Sequence, residues 1–119
     1  MGKGRGKMNK IIVKELFSSA FSESKALILR NVIQEKIDLN ESVELDFTGI
    51  TKFTTLFFNF STGYFISVLG PVEYNKRITL KGLSELGEST YQSSYNNAIE
   101  KYDPEQSEKI LSIIENPGE

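Results

Sequence analysis

The chain has 119 residues, of which 39% are hydrophobic and 25% charged, and its formal net charge is −2. This composition is typical of one soluble globular domain, which we place at residues 9–115, between a leader (1–8) and a tail (116–119). Because the chain has no cysteine and no histidine, disulfides and thiolate chemistry are excluded and the commonest zinc ligand and general base are absent. We expect a cytoplasmic protein that is not an enzyme and uses neither a cofactor nor a metal.

The leader is glycine-rich and basic, and without its Lys3, Arg5 and Lys7 the net charge changes from −2 to −5. It lacks the apolar core of a signal peptide. We interpret it as a flexible leader or a tag remnant, since one short basic tract on an acidic body is a weak nucleic-acid footprint. No apolar stretch approaches the roughly 20 residues of a membrane-spanning helix. We therefore expect neither a membrane nor a nucleic acid as a partner.

The first predicted elements are a strand at residues 11–13 and a helix that ends near Ile37. Ser22 can accept a hydrogen bond from the first turn of this helix as its N-cap. Its apolar side chains recur at helical spacing and comprise Ala26, Leu29, Ile33 and Ile37. One face of the helix is therefore expected to be buried.

The second strand is predicted at residues 43–48, where apolar and polar residues alternate with period 2. Asp46 lies on the polar side of this strand, and Gly49 then allows a turn. A long, strongly apolar helix is predicted over 55–69, capped by Thr54 or Thr55. We expect Gly70 and Pro71 to end this helix.

A third strand is predicted at residues 77–81, followed by helices at about 88–102 and 104–114. The aspartate, proline and glutamine at 103, 104 and 106 are typical of a helix start. Strands that alternate with helices favour an α/β domain with right-handed crossovers. We expect a mostly parallel or mixed sheet flanked by helices.

Residues 43–50 and the following 52–57 resemble the second half of a STAS domain, the fold of anti-sigma-factor antagonists. The chain is more similar still to a STAS-like family of unknown function found in bacteria, phages and mobile elements. The shared features are Leu-Asp-Phe-x-Gly-Ile at 45–50, a hydroxyl-rich link, an aromatic at Phe57 and a glycine six residues later at Gly63. The resemblance extends over roughly residues 11–85, and it implies that Asp46 is a structural residue whose carboxylate accepts hydrogen bonds from the turn.

The resemblance implies a STAS-like regulatory module that docks on another protein, such as a kinase-like ATPase. The STAS motif Asp-Ser-Ser-Gly corresponds here to Thr54, Thr55, Leu56 and Phe57, so the phosphoacceptor position corresponds to Thr55. Either threonine is thus a candidate switch, although we favour helix capping as the role of this pair, and the two roles are not exclusive. The candidate partner-binding residues are Phe53, Leu56, Phe58 and Asn59. A second copy of the chain is an alternative partner for this surface.

Two other functions remain open at this stage. The carboxyl ends of parallel strands, near 48–55 and 81–84, often bind small ligands, so a small-ligand or nucleotide-binding domain is one alternative. A phage-type inhibitor that captures a host protein through its acidic surface is the other. Binding by such an inhibitor would weaken as salt is raised.

Overall fold

The computed structural model describes residues 7–104. Within them, one sheet contains β1 (Met8–Ile12), β2 (Ser42–Asp46) and β3 (Ile78–Lys81), in that spatial order. Both neighbouring pairs are parallel, with Ile11 opposite Leu45 and Leu45 opposite Leu80. The predicted α/β class and the parallel sheet are therefore confirmed.

Five α-helices in the described part of the chain connect or follow these strands. They are α1 (Glu23–Asp38), α2 (Thr55–Phe60), α3 (Thr62–Leu69), α4 (Pro71–Arg77) and α5 (Glu85–Lys101), and one 3₁₀ turn at Val13–Glu15 follows β1. The helices α1 and α4 contact the sheet directly, and α5 packs against α2 and α3.

The two faces of the sheet differ, as the alternation in β2 predicts. Ile11, Val43, Leu45 and Ile78 are buried on one face, under the helices. On the other face, Lys10 forms an ion pair with Asp46 at 3.7 Å and Lys81 with Glu44 at 3.8 Å. The hydrophobic core therefore lies between this single sheet face and the helices.

The first strand begins earlier than its β-branched run suggests. Met8, which we assigned to the leader, is the first residue of β1 and lies opposite Ser42. The backbone of Lys7 also accepts a hydrogen bond from Ser42 N–H at 3.0 Å. Backbone pairing with β2 thus extends β1 over residues whose side chains give no strand signal.

The single helix predicted over 55–69 is in fact two helices, separated at Ser61 (φ −102°, ψ −87°). Ser61 Oγ donates a hydrogen bond to the Phe57 carbonyl at 2.8 Å, and Thr62 Oγ1 donates to the Phe58 carbonyl at 3.3 Å. Hydroxyl side chains that bond to carbonyls four residues earlier compete with the helical backbone bonds and bend helices. Two such residues in succession explain the break.

Gly70 and Pro71 end α3 but also begin α4. Gly70 has φ +84°, and Pro71 is the first residue of α4, a position at which the missing N–H of proline costs nothing. Arg77 is therefore helical, and β3 begins at Ile78 rather than at the predicted 77.

The α5 helix begins at Glu85, three residues before the predicted start, because Ser84 caps it by accepting from Gly87 N–H at 3.1 Å. The helix predicted at 104–114 lies outside the described residues.

Candidate functional site

The turn after β2 is held by its own side chains. Asp46 accepts hydrogen bonds from the hydroxyl and the N–H of Thr48, at 2.6 and 3.0 Å. These bonds, aided by Lys81 and Lys10, lower the pKa of the Asp46 carboxyl below its ordinary value. Gly49 has φ +88°, and the side chain of Lys14 lies over its α-carbon. Both predicted turn residues, Asp46 and Gly49, are thus engaged in local structure.

The segment after this turn is tied to the start of α1. Ala20 N–H donates to the Lys52 carbonyl at 2.8 Å, and Thr54 N–H donates to the Ala20 carbonyl at 3.1 Å. The Thr54 hydroxyl donates to the Phe21 carbonyl at 2.7 Å and accepts from Phe57 N–H at 3.1 Å. Thr54 is therefore the N-cap of α2 and also joins α2 to the segment that enters α1.

These contacts bring Phe21 next to α2, and we call four exposed residues of this region the α2 surface: Phe21, Thr55, Leu56 and Asn59. Asn59 lies four positions after Thr55 and three after Leu56, so it neighbours both on one side of the helix. The apolar members are well exposed, Leu56 at 46% and Phe21 at 55%. Among the described residues, the Thr55 hydroxyl forms no hydrogen bond.

Two of the predicted partner-binding residues do not reach the surface. Phe58 is fully buried, and Phe53 is 8% exposed. Their rings are stacked with centroids 5.9 Å apart, and Tyr91 of α5 packs edge-on against Phe58 at 5.3 Å. The packing of α5 against α2 therefore places both phenylalanines in the core and leaves Leu56 and Asn59 as the accessible candidates.

Phe21 was not identified from the sequence. It stands immediately before Ser22, the N-cap of α1, and an apolar residue before an N-cap is ordinarily explained by packing on its own helix. Only the pairing of residues 20–21 with 52–54 brings it next to α2. No sequence signal could have found it, since the two segments are more than 30 positions apart.

Asn59 belongs to a second feature, a polar cleft of about 210 Å³ between α3 and α5. Its side-chain oxygen accepts a hydrogen bond from Ser94 Oγ at 2.6 Å, and Ser94 is buried. Gly63, Ser67, Asn97 and Lys101 also line this cleft. Its volume lies below the roughly 300–1,000 Å³ of typical small-molecule sites.

The carboxyl ends of the strands are filled by side chains of the protein itself. A β-carbon on Gly82, where the chain leaves β3, would lie 2.8 Å from Asp46 Oδ1 and equally close to Thr48 N. Lys14 covers Gly49 in the same way. The crevice at which many α/β proteins bind ligands is thus closed by the turn after β2.

Two general features of residues 7–104 complete the description of the site. No group of three or more aspartates or glutamates lies close enough to hold a metal ion in this part of the chain. None of its helices is both long and apolar enough to cross a membrane.

The family model described as a STAS-like domain of unknown function matches residues 25–88, which is more than half of the chain. The matched region runs from α1 to the first turn of α5 and includes the turn after β2 and three residues of the α2 surface. No curated protein and no solved structure matches the chain. The chain belongs to the family of STAS-like domains of unknown function.

Proposed function

We propose that this STAS-like domain is a non-catalytic regulatory module, of bacterial or phage origin, that docks on a partner protein through the α2 surface. The observation that carries the proposal is the exposure of Leu56 and Phe21 near Thr55, whose hydroxyl bonds to none of residues 7–104. By resemblance to anti-sigma-factor antagonists, the partner is a kinase-like ATPase or another component of a signalling or mobile-element system.

The support for docking comes from how firmly this surface is held. Thr54 fixes its two segments to each other by donating to the Phe21 carbonyl from its hydroxyl at 2.7 Å and to the Ala20 carbonyl from its N–H at 3.1 Å, and Phe57 and Phe58 anchor α2 in the core. A preformed apolar patch loses little conformational entropy on binding. Adjacent exposed apolar side chains with polar residues around them are typical of protein-binding sites.

Thr55 supplies the proposed switch. Thr54 uses its hydroxyl in two hydrogen bonds, whereas Thr55 is exposed and is the residue that corresponds to the STAS phosphoacceptor. A phosphate on Thr55 would add a charge of about −2 next to Leu56. Because burying that charge in an apolar interface is costly, phosphorylation would weaken docking.

The test is affinity purification from the source cells, with the full chain as bait. The wild type should recover one partner, and Leu56→Ala and Thr55→Glu should lose it. Leu39→Ala is the matched control, because Leu39 is an even more exposed leucine and lies at the other end of α1. Phe58→Ala would be uninformative, since removing a buried ring destabilises the fold. If Leu56→Ala and Thr55→Glu both recover the partner as well as the wild type does, the proposal is contradicted.

The alternative of a small-ligand or nucleotide-binding domain would use the polar cleft at Asn59, Asn97 and Lys101, although its volume of about 210 Å³ is below that of typical small-molecule sites. A thermal-shift experiment with nucleotides separates the two, because a ligand that binds the folded state raises the unfolding midpoint. A phage-type inhibitor would instead bind its host protein with an affinity that falls as salt is raised.

A further inference from the structure

In the described part of the chain, β3 is an edge strand. Alternate residues of a parallel strand bond to a given neighbour, and the Lys81 carbonyl accepts a hydrogen bond from Phe47 N–H, at 2.9 Å, on the β2 side. The backbone N–H and carbonyl of Leu80 therefore point away from β2. The edge of β3 thus presents a donor and an acceptor that no described strand uses.

A cleft of about 290 Å³, which we call the β3 cleft, runs along this edge beside α5. Leu80, Leu83 and Tyr91 give it a half-buried apolar lining, and Asn75, Thr79 and Glu88 add polar groups. A groove between an edge strand and a helix is the geometry in which proteins bind extended peptides as an added strand. Backbone bonds then supply affinity and side-chain pockets supply specificity.

The charge of the β3 cleft is set by Glu88. Its carboxylate is exposed and forms no ion pair with the described residues, and no other charged side chain described here lines the cleft. Lys81, although it belongs to β3, pairs with Glu44 at 3.8 Å on the open face of the sheet. The cleft is therefore complementary to a basic side chain.

We propose that the β3 cleft binds an extended segment of another protein, which adds to the sheet beside β3. An apolar side chain of this segment packs against Leu80, Leu83 and Tyr91, and a lysine or arginine faces Glu88. The charge disfavours residues 105–119 of the chain itself, which carry four glutamates and one lysine. This second docking site does not depend on the α2 surface, and its failure would leave the function proposed there untouched.

The test begins with a random 12-residue peptide library on phage, selected against the full chain. We expect enriched sequences in which apolar residues alternate with other residues and a lysine or arginine recurs. A synthetic peptide of the enriched sequence should shift the amide resonances of residues 79–81. Glu88→Gln should weaken its binding about two- to fivefold at low salt. Glu85→Gln is the matched control, because Glu85 lies in the same first turn but outside the cleft lining.

Peptide N-methylation tests strand addition itself. Methyl groups on the amides that face β3 should weaken binding about tenfold or more, because each removes a backbone hydrogen bond and adds a clash, whereas methylation of the alternate amides should have little effect. Three results would overturn the proposal. The selection could enrich no sequence, the peptide could shift the amide resonances of Thr55 and Leu56 instead of residues 79–81, or both methylation patterns could change its affinity equally. If sedimentation shows a concentration-dependent dimer, and this dimer does not bind the peptide, the cleft is occupied by a second copy of the chain and the proposal is wrong.

Discussion

The ring of Phe53 lies directly against Gly87 of α5: a β-carbon at position 87 would be 2.9 Å from Cε2 and Cζ of Phe53. The same β-carbon would lie 3.1 Å from Cδ2 of Leu83. The absence of a side chain at Gly87 therefore lets the segment before α2 pack against the start of α5. Because Leu83 also lines the β3 cleft, Gly87 contacts both the segment before α2 and the lining of this cleft.

Gly87→Ala should destabilise the protein by about 1 kcal/mol. Alanine improves helix propensity by about 1 kcal/mol, but overpacking a buried contact costs about 1–3 kcal/mol, and here both a buried ring and Leu83 would have to move. Urea unfolding measures the difference. Ser93→Ala, at an exposed position of the same helix, should be neutral or slightly stabilising. If Gly87→Ala were as stable as the wild type, the contact with Phe53 would not exclude a side chain at position 87.

The two threonines before α2 should differ in their effect on stability. Thr54→Ala removes the cap of α2 and the bond to the Phe21 carbonyl, and we expect it to cost about 1–2 kcal/mol. Thr55→Ala, at an exposed and unbonded position, should cost less than about 0.5 kcal/mol. Thr54→Ser should restore most of the lost stability, because it keeps the hydroxyl. Equal effects of the two alanine variants in urea unfolding would argue against this division of roles.

Local patterns in the sequence were sufficient to place the three strands along the chain and to identify the cap of α1. Ser22 caps α1 as predicted, accepting from Lys25 N–H at 3.3 Å, and the alternation in β2 gives the correct buried face. These features depend on residues a few positions apart. The glycine and proline at 70–71 were ambiguous by nature, since the pair that ends one helix can equally begin the next.

The features that sequence reasoning missed depend on contacts between distant segments. The apolar residues of 55–69 indicate burial but not which helix covers them, so the burial of Phe58 by Tyr91 could not be predicted. Phe21 likewise becomes part of a surface only when residues 20–21 pair with 52–54. Which side chains of the candidate surface are accessible thus required the fold.

Thr48→Val should raise the pKa of Asp46 toward its ordinary value, because the largest cause of the lowered pKa is the hydrogen bond from the Thr48 hydroxyl. A carboxyl whose pKa is lower in the folded state stabilises the protein above its unfolded-state pKa. That stabilisation is lost as the pH falls through the folded-state pKa. Carbon-detected NMR titration of the Asp46 carboxyl checks the shift directly. An unchanged titration in Thr48→Val would show that the Thr48 backbone N–H suffices.

Tyr74 and Tyr91 share a hydrogen bond of 2.7 Å between their hydroxyls, and Tyr74 is almost fully buried. Burial raises the pKa of Tyr91 to about 12 and the pKa of Tyr74 well above its ordinary value. The folded state therefore holds protons that the unfolded chain releases above pH 10. The two tyrosines therefore contribute fully to the free energy of unfolding below pH 10, and this contribution should decline as the pH rises toward 12.

Tyr91→Phe should cost about 1–2 kcal/mol at neutral pH, because it leaves the buried Tyr74 hydroxyl without the partner that it has in the wild type. It should also make the decline in stability between pH 10 and 12 less steep, since one raised pKa is lost. Urea unfolding at several alkaline pH values measures both effects. Tyr95→Phe is the control: its hydroxyl bonds Asn75 at an exposed site, so it should change stability by less than about 0.5 kcal/mol. A Tyr91→Phe protein with wild-type stability and an unchanged alkaline slope would exclude the buried tyrosine pair as a stabilising element.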